Sequence, residues 1–144
     1  AVRQSRTDST MLAIAYGCVL IAAVLPYLWV AIAKSSGERY NNRNPRAWQA
    51  RQENPRSNLA SAAHHNAFEA FAPFAAAVIL AQLARVPDER IATLSVAFIV
   101  FRVVHGLMYV GNRPALRSLA WVGGLACVVA LMIMAMLRAG VPAA

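Results

Sequence analysis

Four long apolar stretches occupy most of this 144-residue chain, and their length is the strongest constraint on its fold. The runs 11–33, 91–111 and 119–137 each extend about 19–23 residues, enough to cross a bilayer at about 1.5 Å per helical residue. A further run ends at Ala84 and begins at about residue 59. A helix packed in water needs a polar face, yet 11–33 and 119–137 hold no charged residue at all. The expectation is an all-α integral membrane four-helix bundle, with residues 1–144 forming one domain and residues 34–58 a connecting loop.

The first run has some features of a cleaved signal peptide. Arg3 and Arg6 precede it, and Ala31-Ile32-Ala33 has the small-residue spacing of a processing site. Its apolar core is too long for such a peptide, so it is read as the first helix. The ten residues before it read as a processed, mis-assigned or poorly ordered extension.

With four crossings, loop 34–58 and turn 112–118 share one side. They carry Lys34, Arg39, Arg43, Arg46, Arg51, Arg56, Arg113 and Arg117, against Arg3, Arg6, Arg85, Arg90 and Arg138 on the other. The positive-inside rule puts the loop in the cytoplasm and both termini outside. The net charge of +8 is therefore read as serving topology and contact with anionic lipid, not nucleic acid. Cys18 and Cys127 lie within apolar runs without a CxxC partner and are expected to be packing residues.

Loop 34–58 is the one extended polar stretch. Asn44-Pro45 is a helix-start signal, and a short helix over 46–51 follows from it, with Pro45 at its first position. Trp48 would suit the lipid headgroup level. The loop is either a basic connector lying on lipid or a segment whose arginines reach over a neighbouring subunit to help bind an anion.

Polar residues inside the apolar runs mark the candidate site, because an unpaired charge facing hydrocarbon costs a few kcal/mol (about 2.5–3.5 on insertion scales). Asn66, Glu69 and Pro73 fall at i, i+3 and i+7 on one helical stripe, and Arg102, His105 and Tyr109 repeat that spacing on the next span. Glu69 and Arg102 each lie about 15 Å from the loop-side boundary. They are expected to form a pair or to share a polar cavity. Arg102, Arg113 and Arg117 offer guanidinium forks for carboxylates, Glu69 can take an ammonium group, and Asn66 can donate and accept. This set would suit a small zwitterion with several carboxylates, such as glutathione. It would equally suit an internal ion pair that locks helices and binds nothing. A metal site is disfavoured because the adjacent His64 and His65 point about 100° apart on a helix. A proton pathway through Glu69 and His105 is a further alternative.

Two motifs resemble the MAPEG family, the membrane-associated proteins in eicosanoid and glutathione metabolism. Ala63-His64-His65-Asn66-Ala67-Phe68-Glu69-Ala70-Phe71-Ala72-Pro73-Phe74 is similar to the family's second-helix pattern R-A-x-x-N-x-x-E-x-x-x-P-F. Arg102-Val103-Val104-His105-Gly106-Leu107-Met108-Tyr109, followed by Arg117-Ser118, is similar to the third-helix R-x-x-H-x-x-x-Y and its following Arg-Ser. Asn44-Pro45-Arg46 resembles the loop of the bacterial branch. The resemblance implies a homotrimer in the bacterial inner membrane, with glutathione as co-substrate at subunit interfaces near the cytoplasmic face. It nominates Asn66, Glu69, Arg102 and Tyr109, with Arg113 nearby, as glutathione contacts, and Arg117 with Ser118 as the thiolate-activating pair. The implied activity is a glutathione transferase or peroxidase-like reaction on lipophilic electrophiles. Ala62 stands at the pattern's Arg, so a non-catalytic membrane subunit of a larger complex is the alternative.

Overall fold

The computed structural model describes residues 2–140, with side chains from Ser9 onward; Arg3 and Arg6 thus lie outside the described side chains. The described residues form five helices: α1 (Val2–Ser35), α2 (Pro45–Ala50), α3 (Pro55–Leu83), α4 (Asp88–Val110) and α5 (Pro114–Ala139). All but α2 are long and apolar enough to cross a membrane. The protein is an all-α integral membrane bundle, and no strand occurs among the described residues.

Helices α3, α4 and α5 begin ahead of their apolar stretches, at a proline or just after one, because local start signals, not hydropathy, set where a helix begins. Asn54 accepts the Ser57 amide at 3.1 Å, and Pro55 occupies the first helical turn, so α3 starts four residues before Leu59. The same device starts α2, where Asn44 accepts the Ala47 amide at 3.2 Å ahead of Pro45. The buried Ser57 hydroxyl then donates to the Ala33 carbonyl at 2.7 Å and ties the start of α3 to the end of α1.

Both short turns reverse the chain through one left-handed residue. Arg85 (φ 56°) ends α3 and Asn112 (φ 51°) ends α4. The following amides close back, Val86 N–H to Ala81 O at 2.9 Å and Arg113 N–H to Met108 O at 2.8 Å, which is the Schellman pattern.

Helices α3 and α4 pack together at the centre, and each touches both α1 and α5. The larger core cluster joins Ala15, Cys18 and Ala22 of α1, Phe74 and Val78 of α3, Phe98 of α4 and Leu131 of α5. Phe74 and Phe98 stack face to face, 3.9 Å between centroids. Cys18 and Cys127 are free thiols buried in this cluster, in keeping with a packing role. Large apolar side chains such as Leu20, Val24, Leu83, Leu119 and Met136 face outward, as a lipid-facing surface requires.

Small residues allow the closest approaches. The Trp29 indole of α1 lies on Gly106 of α4 so tightly that no side chain fits there, and the Phe101 ring covers Gly123 of α5. Trp48 departs from the headgroup expectation. It is buried, its indole N–H donates to the Glu38 carbonyl at 3.3 Å, and Tyr40 meets its ring edge-on at 5.1 Å. The loop folds on its own tryptophan, which is withdrawn from lipid.

Candidate functional site

The α3 and α4 stripes meet about where their equal depth places them. Arg102 is buried, 4% exposed, in the middle of α4. Its Nη2 donates to Asn66 Oδ1 at 2.9 Å, and Asn66 Nδ2 donates in turn to Glu69 Oε2 at 3.4 Å. No direct Glu69–Arg102 ion pair closes, because Asn66, one helical turn earlier on the same face of α3, stands between them. The shared cavity does form. Asn66, Glu69 and Arg102 line a recess of about 180 Å³ between α3, α4 and α5, and Trp121, Leu125 and Val128 supply its apolar wall.

Gly124 on α5 lies beside the Arg102 stem, where a Cβ would sit 3.6 Å from Arg102 Cδ, an ordinary contact. The guanidinium carries five N–H donors, and the bond to Asn66 is the one its side chain makes among the described residues. Glu69 is exposed on the outside of the bundle, as is Pro73 on the same stripe.

A second cluster lies toward the loop side. Arg117, in the first turns of α5, sets its guanidinium carbon 4.4 Å from the Tyr109 ring centroid, a cation–π contact. The His105 ring meets Tyr109 edge-on at 5.3 Å. His105 is buried, and its Nδ1 has no hydrogen-bond partner. The two clusters share faces. Arg102, His105 and Tyr109 run along α4, while Arg117, Trp121, Gly124 and Val128 run along α5 at i, i+4, i+7 and i+11. Cations and hydrogen-bonding groups thus follow one seam from the loop-side boundary to the recess.

The sequence-nominated residues divide accordingly. Asn66, Glu69 and Arg102 come together, and so do Tyr109 and Arg117. Arg113 and Ser118 are exposed, and their side chains make no hydrogen bond among the described residues. Sequence reasoning missed Trp121; the signal that could have found it is its position four residues after Arg117, on the same face of α5. His64 is engaged elsewhere, its Nδ1 2.8 Å from the Pro26 carbonyl of α1, and no group of three metal-ligating side chains occurs among the described residues.

Comparison with known proteins gives one finding that spans the bundle. The MAPEG family model matches residues 14–137, from α1 to the end of α5. No curated protein matches the chain.

Proposed function

This chain belongs to the MAPEG family, and from that premise we propose that it is a glutathione-dependent membrane enzyme, a transferase or peroxidase-like protein acting on lipophilic electrophiles. The observation that carries the reading is Arg102. A buried guanidinium with a single neutral hydrogen bond is under-satisfied, and burying a charge is costly unless it is paired and hydrogen-bonded. A carboxylate entering the recess would take up the remaining donors in a bidentate fork. Glutathione has two carboxylates and one ammonium, and Glu69 stands ready for the ammonium across Asn66.

In this proposal Asn66, Glu69, Arg102 and Tyr109 hold the tripeptide, with Arg113 reaching in from the turn. Arg117 and Ser118 face its sulfur. Loss of the thiol proton leaves a thiolate stabilised by the Arg117 cation and the Ser118 hydroxyl. The thiolate lone pair forms a carbon–sulfur bond to the electrophile, and the electron pair of the broken bond leaves with the displaced group or opened ring oxygen, which takes up a proton. With a hydroperoxide, two thiols are oxidised to a disulfide while the O–O bond is reduced to alcohol and water.

The working unit is a homotrimer in a bacterial inner membrane, with loop 34–58 cytoplasmic. The basic excess on the loop side supports that orientation, and the exposure of Glu69 at mid-span supports a neighbouring subunit against it. Calorimetric titration of the detergent-solubilised protein with glutathione tests the reading. Saturable binding is expected, with conjugation abolished by Arg117→Ala at unchanged oligomer size. No binding at millimolar glutathione overturns it. One observation favours a non-catalytic subunit instead: Ala62 stands at the family pattern's Arg, which removes one guanidinium from α3.

A further inference from the structure

Three helix ends converge on the loop side of the bundle, well away from the recess around Arg102. The last turns of α1 and α4 and the first turn of α3 leave an open groove of about 570 Å³. Trp29 forms its floor, and Ile32, Leu59 and Leu107 form its walls. At the rim stand Arg56 and Asn112. Both are exposed, and neither side chain has a hydrogen-bond or ion-pair partner among the described residues.

We propose that this groove is a binding site for an anionic phospholipid, with an acyl chain on Trp29, Ile32, Leu59 and Leu107 and the phosphate at Arg56 and Asn112. The order of chemistry along the groove matches that occupant. Trp29 lies six residues before the end of α1, about 9 Å below the boundary. Arg56 stands in the first turn of α3, and Asn112 just beyond the end of α4. Apolar walls therefore lie at acyl depth and a free cation at headgroup depth.

An apolar groove of this size within a membrane is not left empty, since walls facing a void lose their dispersion contacts. The surrounding charge selects the head. Lys34, Arg39, Arg43, Arg46, Arg51, Arg56, Arg113 and Arg117 gather on this side against Glu38 and Glu53, a field that attracts anionic lipid. A second copy of the chain would bring the same positive surface to the rim, so like-charge repulsion disfavours it as the occupant. The inference stands apart from the glutathione reading, which concerns other residues.

The test uses the full chain, delipidated in neutral detergent and titrated with phosphatidylglycerol or with phosphatidylcholine of the same acyl chains. Retained lipid is counted by native mass spectrometry. The expected result is a several-fold preference for phosphatidylglycerol. Arg56→Gln should erase the preference, Leu107→Trp should lower retention of both lipids by filling the groove, and Arg90→Gln on the opposite side should change neither. Arg56 is exposed, so its replacement keeps the fold, which helical circular dichroism verifies. Equal retention of the two lipids, or undiminished phosphatidylglycerol on Arg56→Gln, overturns the proposal. A shift in oligomer mass without a change in lipid retention also overturns it and makes the groove a contact between copies.

Discussion

The Arg102–Asn66 contact allows a prediction in which truncating the neutral partner is worse than removing the charge. Asn66→Ala leaves the buried guanidinium without the one hydrogen bond its side chain makes among the described residues, at 2.9 Å. Bonds to charged groups contribute about 1.5–3 kcal/mol in soluble proteins, whereas polar contacts between membrane helices average about 0.6 and reach about 1.7 kcal/mol. The recess beside Arg102, about 180 Å³, can admit water at about 30 Å³ per molecule. Water can replace part of the lost bond and pulls the cost to about 1–2 kcal/mol. At about 1.4 kcal/mol per factor of ten, the unfolding equilibrium should shift by roughly an order of magnitude. Arg102→Met removes the cation together with its desolvation burden and keeps most of the stem volume against Gly124. Its cost should be near zero, within about 1 kcal/mol. In the Arg102→Met background, Asn66→Ala should then cost only a few tenths of a kcal/mol, giving a coupling of about 1 kcal/mol. The assay is unfolding by SDS titration in mixed micelles, followed by far-ultraviolet circular dichroism. Additive losses in the double variant, or a larger loss for Arg102→Met than for Asn66→Ala, would refute the reasoning.

Three further outcomes follow from the geometry. Gly106→Leu drives a side chain into the Trp29 indole and should destabilise by about 1–3 kcal/mol or more; Trp29→Ala should recover part of that loss, and a thermal melt with no loss would sink the assigned packing. Ala76→Trp, on the exposed face of α3, should dissociate the proposed trimer in light scattering, while Ile133→Trp on the exposed face of α5 should leave its mass unchanged; equal behaviour of the two would refute α3 as the contact face. Glu69→Gln should raise the melting temperature of the ligand-free protein by removing a mid-span charge and should abolish its further rise on adding glutathione, and an unchanged glutathione response would remove Glu69 from the site.

The spans were legible because apolar length is a property of composition, whereas the starts of α3, α4 and α5 were not. Asn54-Pro55 carries the same start signal as Asn44-Pro45, but the polar residues Arg56, Ser57 and Asn58 that follow it read as loop when hydropathy alone defines a span. The site was legible to the level of faces and depth: Asn66, Glu69 and Arg102 share a recess, as period and depth require. Order within the recess was not legible, since helical spacing places Asn66 and Glu69 on one face without saying which reaches Arg102. Trp48 illustrates the same limit. Its amphipathic ring suits a headgroup layer, yet the Glu38 carbonyl and the Tyr40 ring satisfy both its N–H and its face within the loop.

The two outer helix faces of the bundle differ in a way that lipid alone does not explain. On α5 the exposed residues include Leu119, Val122, Val129, Ile133 and Met136, a large and uniformly apolar surface suited to acyl chains. On α3 the middle of the exposed face is Glu69, Ala72, Pro73 and Ala76, small residues with a carboxylate at mid-span, and large apolar residues return only at Ile79, Leu80 and Leu83. Facing hydrocarbon, that carboxylate would cost about 2.5–3.5 kcal/mol on insertion scales, and its 3.4 Å contact with Asn66 is too long to offset much of this. Small residues, in turn, let helices approach closely and are enriched where membrane helices meet. In the proposed trimer, the arrangement that satisfies both faces turns α5 toward lipid and α3 toward protein. In that proposed assembly the recess opens onto a subunit boundary, where a polar ligand can reach Glu69 and Arg102 without crossing the bilayer core.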